Sequence, residues 1–184
     1  MEFEFFILDW IQTHLRHPIL DPIIVFITTL GNAGILWIGL TILLAVRKST
    51  RKTAAALAVA LGLCLLCGNL LLKPLIGRIR PFNVQDAITL LIAAPLDYSF
   101  PSGHTMSSFA AAMVLLLTDR RMGIPAMLLA GLIAFSRMSL YVHYPTDVLA
   151  GLLMGCLFGW LAVRIVQKLH ARRFQRNQQE KPHS

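Results

Sequence analysis

The stretch Leu96–Leu117, LDYSFPSGHTMSSFAAAMVLLL, decides how this chain is read. Pro101-Ser102-Gly103-His104 makes a turn, and an apolar run follows directly. A serine ahead of such a run is a helix-start signal, because its hydroxyl can satisfy a free N–H of the first turn. A cap, however, needs no titratable imidazole. A glycine, a hydroxyl and a histidine at the mouth of a hydrophobic helix also fit a chemical site at a membrane surface.

The rest of the composition fits a membrane setting. Of the 184 residues, 56% are hydrophobic and only 14% charged, whereas a soluble domain carries about 25% charged residues. The mean hydropathy is +0.65. Apolar runs lie at about 33–46, 54–72, 104–118, 123–142 and 147–166, and a helix needs roughly 20 residues to cross a bilayer core. The first run extends backward through LDPIIVFITTLGNAGILW, which is too long for one straight span, so a break is expected at Gly31 and Asn32. Ahead of it, Phe3, Phe6, Ile7, Trp10, Ile11 and Leu15 fall on one face of a helical reading of the N-terminal segment. That predicts an amphipathic helix lying in the membrane interface. The expected fold is all-α: a polytopic membrane helix bundle of about five spans. Residues 1–18 form the interfacial helix, 19–168 the membrane domain and 169–184 a basic cytoplasmic tail, whose stretch RRFQRNQQEKPHS is expected to fray.

The formal net charge of +8 could suggest nucleic acid, but its placement argues against that partner. Twelve of the 17 Lys and Arg lie at 47–52, at 120–121 or from Arg164 onward, and seven of the nine acids lie in or beside the alternate segments. The positive-inside rule accounts for this distribution. It puts the C-terminus in the cytoplasm and residues 1–20, 73–103 and 143–146 on the outer face. Cys64 and Cys67 sit inside an apolar run with no histidine or second pair nearby, so they read as small core residues.

Of the other five Lys and Arg, Arg16 lies in the N-terminal segment, and four outward or intramembrane cations remain to be explained: Lys73, Arg78, Arg80 and Arg137. Near the end of a span such a residue must be paired, snorkelling or functional. The same topology brings them to one membrane face with His104, His143 and Asp147. Arginine forks and helix N-terminal N–H groups match phosphate oxygens. Two histidines suit proton transfer and nucleophilic attack, and a carboxylate four residues beyond His143 can hold one imidazole nitrogen while freeing the other. No carboxylate cluster suits Mg²⁺, and two histidines with one aspartate make a thin zinc site.

Three segments then carry a family resemblance. Lys73-(six residues)-Arg80-Pro81, Pro101-Ser102-Gly103-His104 and Ser136-Arg137-(five residues)-His143-(three residues)-Asp147 resemble the three signature motifs of the type 2 phosphatidic acid phosphatase superfamily. The match runs over about residues 20–168, with all three motifs intact and in order. The resemblance implies that His143 is the nucleophile, Asp147 its orienting acid and His104 the general acid. It assigns the phosphate to Lys73, Arg80 and Arg137, helped by Ser102, the Gly103 backbone N–H and Ser136. It calls for no metal and no cofactor, and it leaves Arg78 outside the signature. It further implies an integral membrane phosphatase, acting on a lipid phosphate or diphosphate at the outer face of a bacterial inner membrane through a phosphohistidine. Short loops and the opening LDPIIVFITTLG are similar to bacterial undecaprenyl diphosphate phosphatases, although phosphatidylglycerophosphate and phosphatidic acid phosphatases share the motifs. A haloperoxidase using the same pocket predicts a larger, soluble chain. A non-enzymatic lipid or anion transporter would account for intramembrane cations but not for three intact motifs.

Overall fold

The computed structural model describes residues 2–85 and 88–179. Among them the regular structure is helical: α1 (Glu2–Leu15), α2 (Leu20–Leu30), α3 (Ile35–Val46), α4 (Arg51–Leu63), α5 (Lys73–Ile76), α6 (Gly103–Thr118), α7 (Arg120–Ser139) and α8 (Pro145–Gln179). A nine-residue π-helical stretch, Cys64–Leu72, joins α4 to α5 without a break. Among the described residues three stretches contain helix long and apolar enough to span a bilayer: Lys48–Asn83, Arg120–Ser139 and Pro145–Arg173. The pair α2 and α3 makes a fourth such stretch, bent by 42°.

That bend sits where the sequence placed it. Ala33 and Gly34 adopt left-handed conformations, with φ of +49° and +67°. A left-handed alanine is uncommon and needs support from its surroundings.

Helix α6 has sixteen residues and is shorter than a full span. It is also the centre of the bundle: Met106, Ala110, Ala111, Ala112 and Val114 are sealed from solvent. Large apolar side chains such as Ile42, Leu70, Leu128 and Leu153 instead point outward from the other helices. An aliphatic outer belt is what a helix bundle presents to lipid.

The closest packing is between α6 and α8, and three glycines permit it. Gly151, Gly155 and Gly159 repeat every four residues along one stripe of α8. A Cβ at these positions would lie 2.8 Å from Ser102 O, 2.4 Å from Met106 O and 2.5 Å from Ala110 O. Only backbone without side chains can approach so closely, which is how small-residue stripes bring membrane helices together. The seam therefore fixes the α6 turn that carries Ser102 and His104 against the start of α8, which carries Asp147.

Helix α1 turns the aromatic part of its expected apolar face outward, as a helix lying in the membrane interface does. Leu8 and Ile11 are its buried apolar residues, with Glu4 buried beside them, while Phe3, Phe6 and Trp10 are exposed. Leu8 packs with Tyr141 and Tyr144, so the helix has an aromatic face turned outward and an aliphatic one resting on the bundle. One feature differs from the sequence reading: α8 continues to Gln179 through residues expected to fray. Arg, Lys and Gln are good helix formers, so the polar composition marks an exit from the apolar layer rather than the end of the helix. Asp86, counted above among the acids, and residues 180–184 of the tail lie outside the described residues.

Candidate active site

The three motifs meet at one end of the bundle. Helix α5 begins with Lys73, and Gly77 stops it with φ of +60°, a conformation in which glycine carries no steric penalty. The chain leaves extended through Arg80, and the Ser99 N–H donates to Arg78 O at 2.8 Å, tying the returning loop to this segment. The segments around 47–52, 118–121 and 167–171 lie at the opposite end, where Lys52, Thr118 and His170 line one depression.

Lys73, Arg80, His104, Arg137 and His143 line a single cavity of about 310 Å³, together with Thr28, Asn32 and Asp97. Arg80, only 3% exposed, is fixed by hydrogen bonds rather than left to swing. Its guanidinium donates to Val142 O at 2.6 Å, Asp97 O at 2.7 Å and the Asp97 carboxylate at 2.6 Å. Arg137 donates to the Thr28 hydroxyl at 2.6 Å, while its Nε has no partner among the described residues. Three buried cations so close together repel one another, and an anion among them relieves that repulsion. The Asp97 carboxylate supplies part of this by pairing with Lys73 and Arg80. Burial alone would raise the Asp97 carboxyl, but Lys73 and Arg80 bring it down to about 2.

His143 occupies the turn between α7 and α8. Its Nε2 lies 3.3 Å from the Arg80 guanidinium, and its Nδ1 lies 3.6 Å from the Asp147 carboxylate. The Nδ1 contact is longer than a good hydrogen bond, so Asp147 sits close to the ring without closing a bond to it among the described residues. Burial pushes the His143 imidazole down, Asp147 pushes it back up, and Arg80 and Arg137 add to the fall, leaving it at about 3. The ring is therefore neutral near pH 7, with a nucleophilic lone pair available. Asp147 is fully buried, yet well held. It accepts from the Ser99 hydroxyl at 2.5 Å, the Tyr144 N–H at 2.9 Å and Arg78 at 2.5 Å.

The expected site residues do not all face this cavity. Asp147 stands behind His143. Gly103 lines an adjoining groove, and its α-carbon faces Asn69 so closely that a Cβ would meet Asn69 Oδ1 at 2.9 Å. Ser102 occupies the N-cap position of α6 without making a side-chain cap bond. Its hydroxyl pairs with Thr105 at 2.9 Å, and its N–H donates to Asp147 O at 3.1 Å. The Ser136 hydroxyl turns back to Ile133 O at 2.6 Å inside its own helix. Ser102 and Ser136 thus sit in the frame of the site, with their hydroxyls engaged elsewhere. Arg78 does not line the cation cavity either.

Three polar residues at the site were missed. Thr28 holds Arg137, Asn32 Oδ1 lies 2.9 Å from His104 Nε2, and Asp97 bridges Lys73 and Arg80. The available signal was Thr28, Thr29 and Asn32, polar residues in a largely apolar run beside the expected break.

The cavity is not isolated. Lys73, Asp97 and His104 also border a groove of about 510 Å³ that runs past Ile38, Leu61 and Leu65. A charged pocket thereby opens into an apolar channel between α3, α4 and α6.

Comparison with known proteins agrees with this picture. Residues 51–171 match the model of the PAP2 superfamily. An undecaprenyl-diphosphatase of Sulfolobus acidocaldarius is 36% identical over 147 residues, 79% of this chain and 70% of the relative. Undecaprenyl-diphosphatase BcrC of Bacillus subtilis is 33% identical over 149 residues, 81% of this chain and 76% of the relative. The solved structure of a transmembrane PAP2-type phosphatidylglycerolphosphate phosphatase from Bacillus subtilis superposes with a TM-score of 0.72 at 26% identity, covering 88% of this chain and 83% of that one. Fold, motif order and these likenesses together establish that the chain belongs to the PAP2 superfamily and is a membrane lipid phosphatase.

Proposed function

We propose that this chain removes a phosphate from a polyprenyl diphosphate at the outer face of the membrane, through a phosphohistidine formed on His143. The observation that carries this reading is the shared cavity. Lys73, Arg80, Arg137, His104 and His143 face one space that continues into an apolar groove, so a phosphate and a hydrocarbon chain are accommodated together.

In the first step His143 Nε2 attacks the terminal phosphorus, and the N–P bond forms as the bond to the bridging oxygen breaks. His104 gives its proton to that leaving oxygen, while the three cations stabilise charge on the transferring group. In the second step His104 takes a proton from water, the water oxygen attacks phosphorus and the P–N bond breaks, releasing inorganic phosphate. Asp147 steadies the imidazole throughout, Ser102 and Ser136 brace the walls, and Gly103 lines the adjoining groove. Because three cations hold the phosphate, and Asp97 is the one carboxylate among the described residues lining the cavity, neither step calls on a metal. The outer-face assignment rests on the charge distribution along the chain.

Phosphatidylglycerophosphate is the second candidate substrate, favoured by the likeness to the Bacillus subtilis structure. Phosphate release by the purified protein in detergent with EDTA, across a polyprenyl diphosphate, phosphatidylglycerophosphate and phosphatidate, separates the readings. The polyprenyl diphosphate is expected to turn over fastest, and the preference fails if it is the slowest. Activity that survives His143→Ala, or no activity on any of the three, overturns the mechanism.

A further inference from the structure

Arg78 lies outside the three motifs and outside the cation cavity, but it is not a bystander. One of its nitrogens donates to the Asp147 carboxylate at 2.5 Å and to the Thr146 hydroxyl at 2.7 Å; the other donates to Glu4 at 2.7 Å. Its guanidinium also stacks on the Tyr144 ring, 4.0 Å from the centroid. Glu4 completes the link by accepting from Thr146 at 2.5 Å. A chain of contacts thus runs from α1 through Arg78 to Asp147 and on to His143.

The same helix grips the His143 turn at two further points. Gln12 donates to Ser139 O at 2.7 Å, and the Tyr141 hydroxyl donates to Asp9 at 2.6 Å. Tyr141 has φ of +58°, a conformation that a bulky residue holds only when its surroundings enforce it. Glu4 is buried in a helix whose exposed aromatics Phe3 and Phe6 would be easier to explain by membrane contact alone. A buried carboxylate needs a partner, and here the partner is the arginine that holds Asp147.

We infer that Arg78 and Glu4 are positioning residues through which the N-terminal helix α1 holds Asp147 against His143. A helix lying at the membrane surface is then part of the apparatus that aligns the nucleophile. This inference rests on the roles proposed above for His143 and Asp147.

The test measures kcat and KM for phosphate release from farnesyl diphosphate by the full chain in detergent. The variants are Arg78→Met, Arg78→Lys, Glu4→Gln, Asp147→Asn, the double Asp147→Asn/Arg78→Met, and His143→Ala. Since misplacing a reacting group by about 1 Å can cost 10²-fold, Arg78→Met should lower kcat by about tenfold or more, with KM within about threefold. Arg78→Lys should recover part of the loss, and Glu4→Gln should show a smaller loss of the same kind. In the Asp147→Asn background, Arg78→Met should cost less than about threefold, because residues acting as a unit are not additive.

The inference is overturned if Arg78→Met keeps kcat within about threefold of the parent. It is equally overturned if KM alone rises, which is the mark of a substrate contact, or if the losses multiply in the double variant, which is the mark of general structural damage. Should Arg78→Met not fold, Arg78→Lys and Glu4→Gln decide by the same kcat-against-KM criterion. His143→Ala separates the two levels. If it remains active the proposed mechanism itself fails, whereas an inactive His143→Ala beside a fully active Arg78→Met removes only the role of Arg78.

Discussion

Gly155 lies well away from any reacting atom, yet the packing of the bundle makes it a sensitive position. In Gly155→Ala the new Cβ would sit 2.4 Å from Met106 O, 3.0 Å from Phe109 Cβ and 3.1 Å from the Ala110 N. Two of these neighbours are backbone atoms of α6 and cannot rotate away. An ordinary contact needs about 3.4 Å, so α8 must withdraw from α6 by about 1 Å at this level. The seam joins the Asp147 end of α8 to the turn bearing Ser102 and His104, and the displacement reaches the site through it. Overpacking of this kind costs about 1–3 kcal/mol in stability, and a shift of about 1 Å between catalytic groups costs about 10²-fold in rate. The assay is kcat for phosphate release by purified Gly155→Ala, with its melting temperature in detergent. Gly131→Ala serves as the control, since nothing lies within 4 Å of a Cβ there. The expected result is a drop in kcat of ten- to a hundredfold for Gly155→Ala and less than about twofold for Gly131→Ala. Equal activity in both variants would refute the argument that the glycine seam sets the site.

Three more outcomes follow from the site itself. In Gly31→Ala the added Cβ would lie 2.8 Å from the His104 ring and 3.0 Å from Ile133 Cγ2, pushing His104 off Asn32. Hydrolysis of a lipid substrate should fall about tenfold and that of p-nitrophenyl phosphate less than about threefold, because a good leaving group needs no general acid; equal losses would contradict the role given to His104. Asp97→Asn removes the anion that pairs with Lys73 and Arg80, so inorganic phosphate should inhibit about tenfold more strongly, and an unchanged inhibition constant would count against competition with Asp97. Since Asp97 titrates at about 2, this difference should hold at every pH from 5 to 8. Lastly, folded His143 titrates at about 3 and an unfolded histidine near 6.5. Between these values the unfolded chain binds the extra proton, so the contribution to stability is present above pH 6.5 and is lost as pH falls toward 3. His143→Gln should flatten the decline in melting temperature between pH 7 and 4.5, and an unaltered decline would show that His143 is not held neutral.

What could be read in advance follows physical lines. Spans, the break near Gly31 and the gathering of three motifs at one end were legible, because hydropathy, glycine punctuation and topology are properties of short segments. Which part of α1 rests on the bundle was not, since Ile11 shares the expected apolar face with Phe3, Phe6 and Trp10 while Leu8 lies beside it. Only the tertiary partners Tyr141 and Tyr144 decide between them. The Gly151, Gly155, Gly159 repeat was visible in the letters, but its meaning depends on which backbone it meets. The π-helical stretch Cys64–Leu72 carries no local signature. Arg78 could be recognised as an unexplained cation, whereas its partner Glu4 is 74 positions away in the chain.

The most direct test of the central claim is to trap the phosphorylated protein. Rapid mixing with a ³²P-labelled polyprenyl diphosphate, an alkaline quench that preserves phosphoramidates, and peptide mapping by mass spectrometry would locate the label. The account predicts acid-labile phosphate on His143, absent in His143→Ala and accumulating further when His104 is replaced by Ala and the leaving group is p-nitrophenolate. Label on any other residue, or rapid turnover by His143→Ala with no phosphorylated protein, would contradict it.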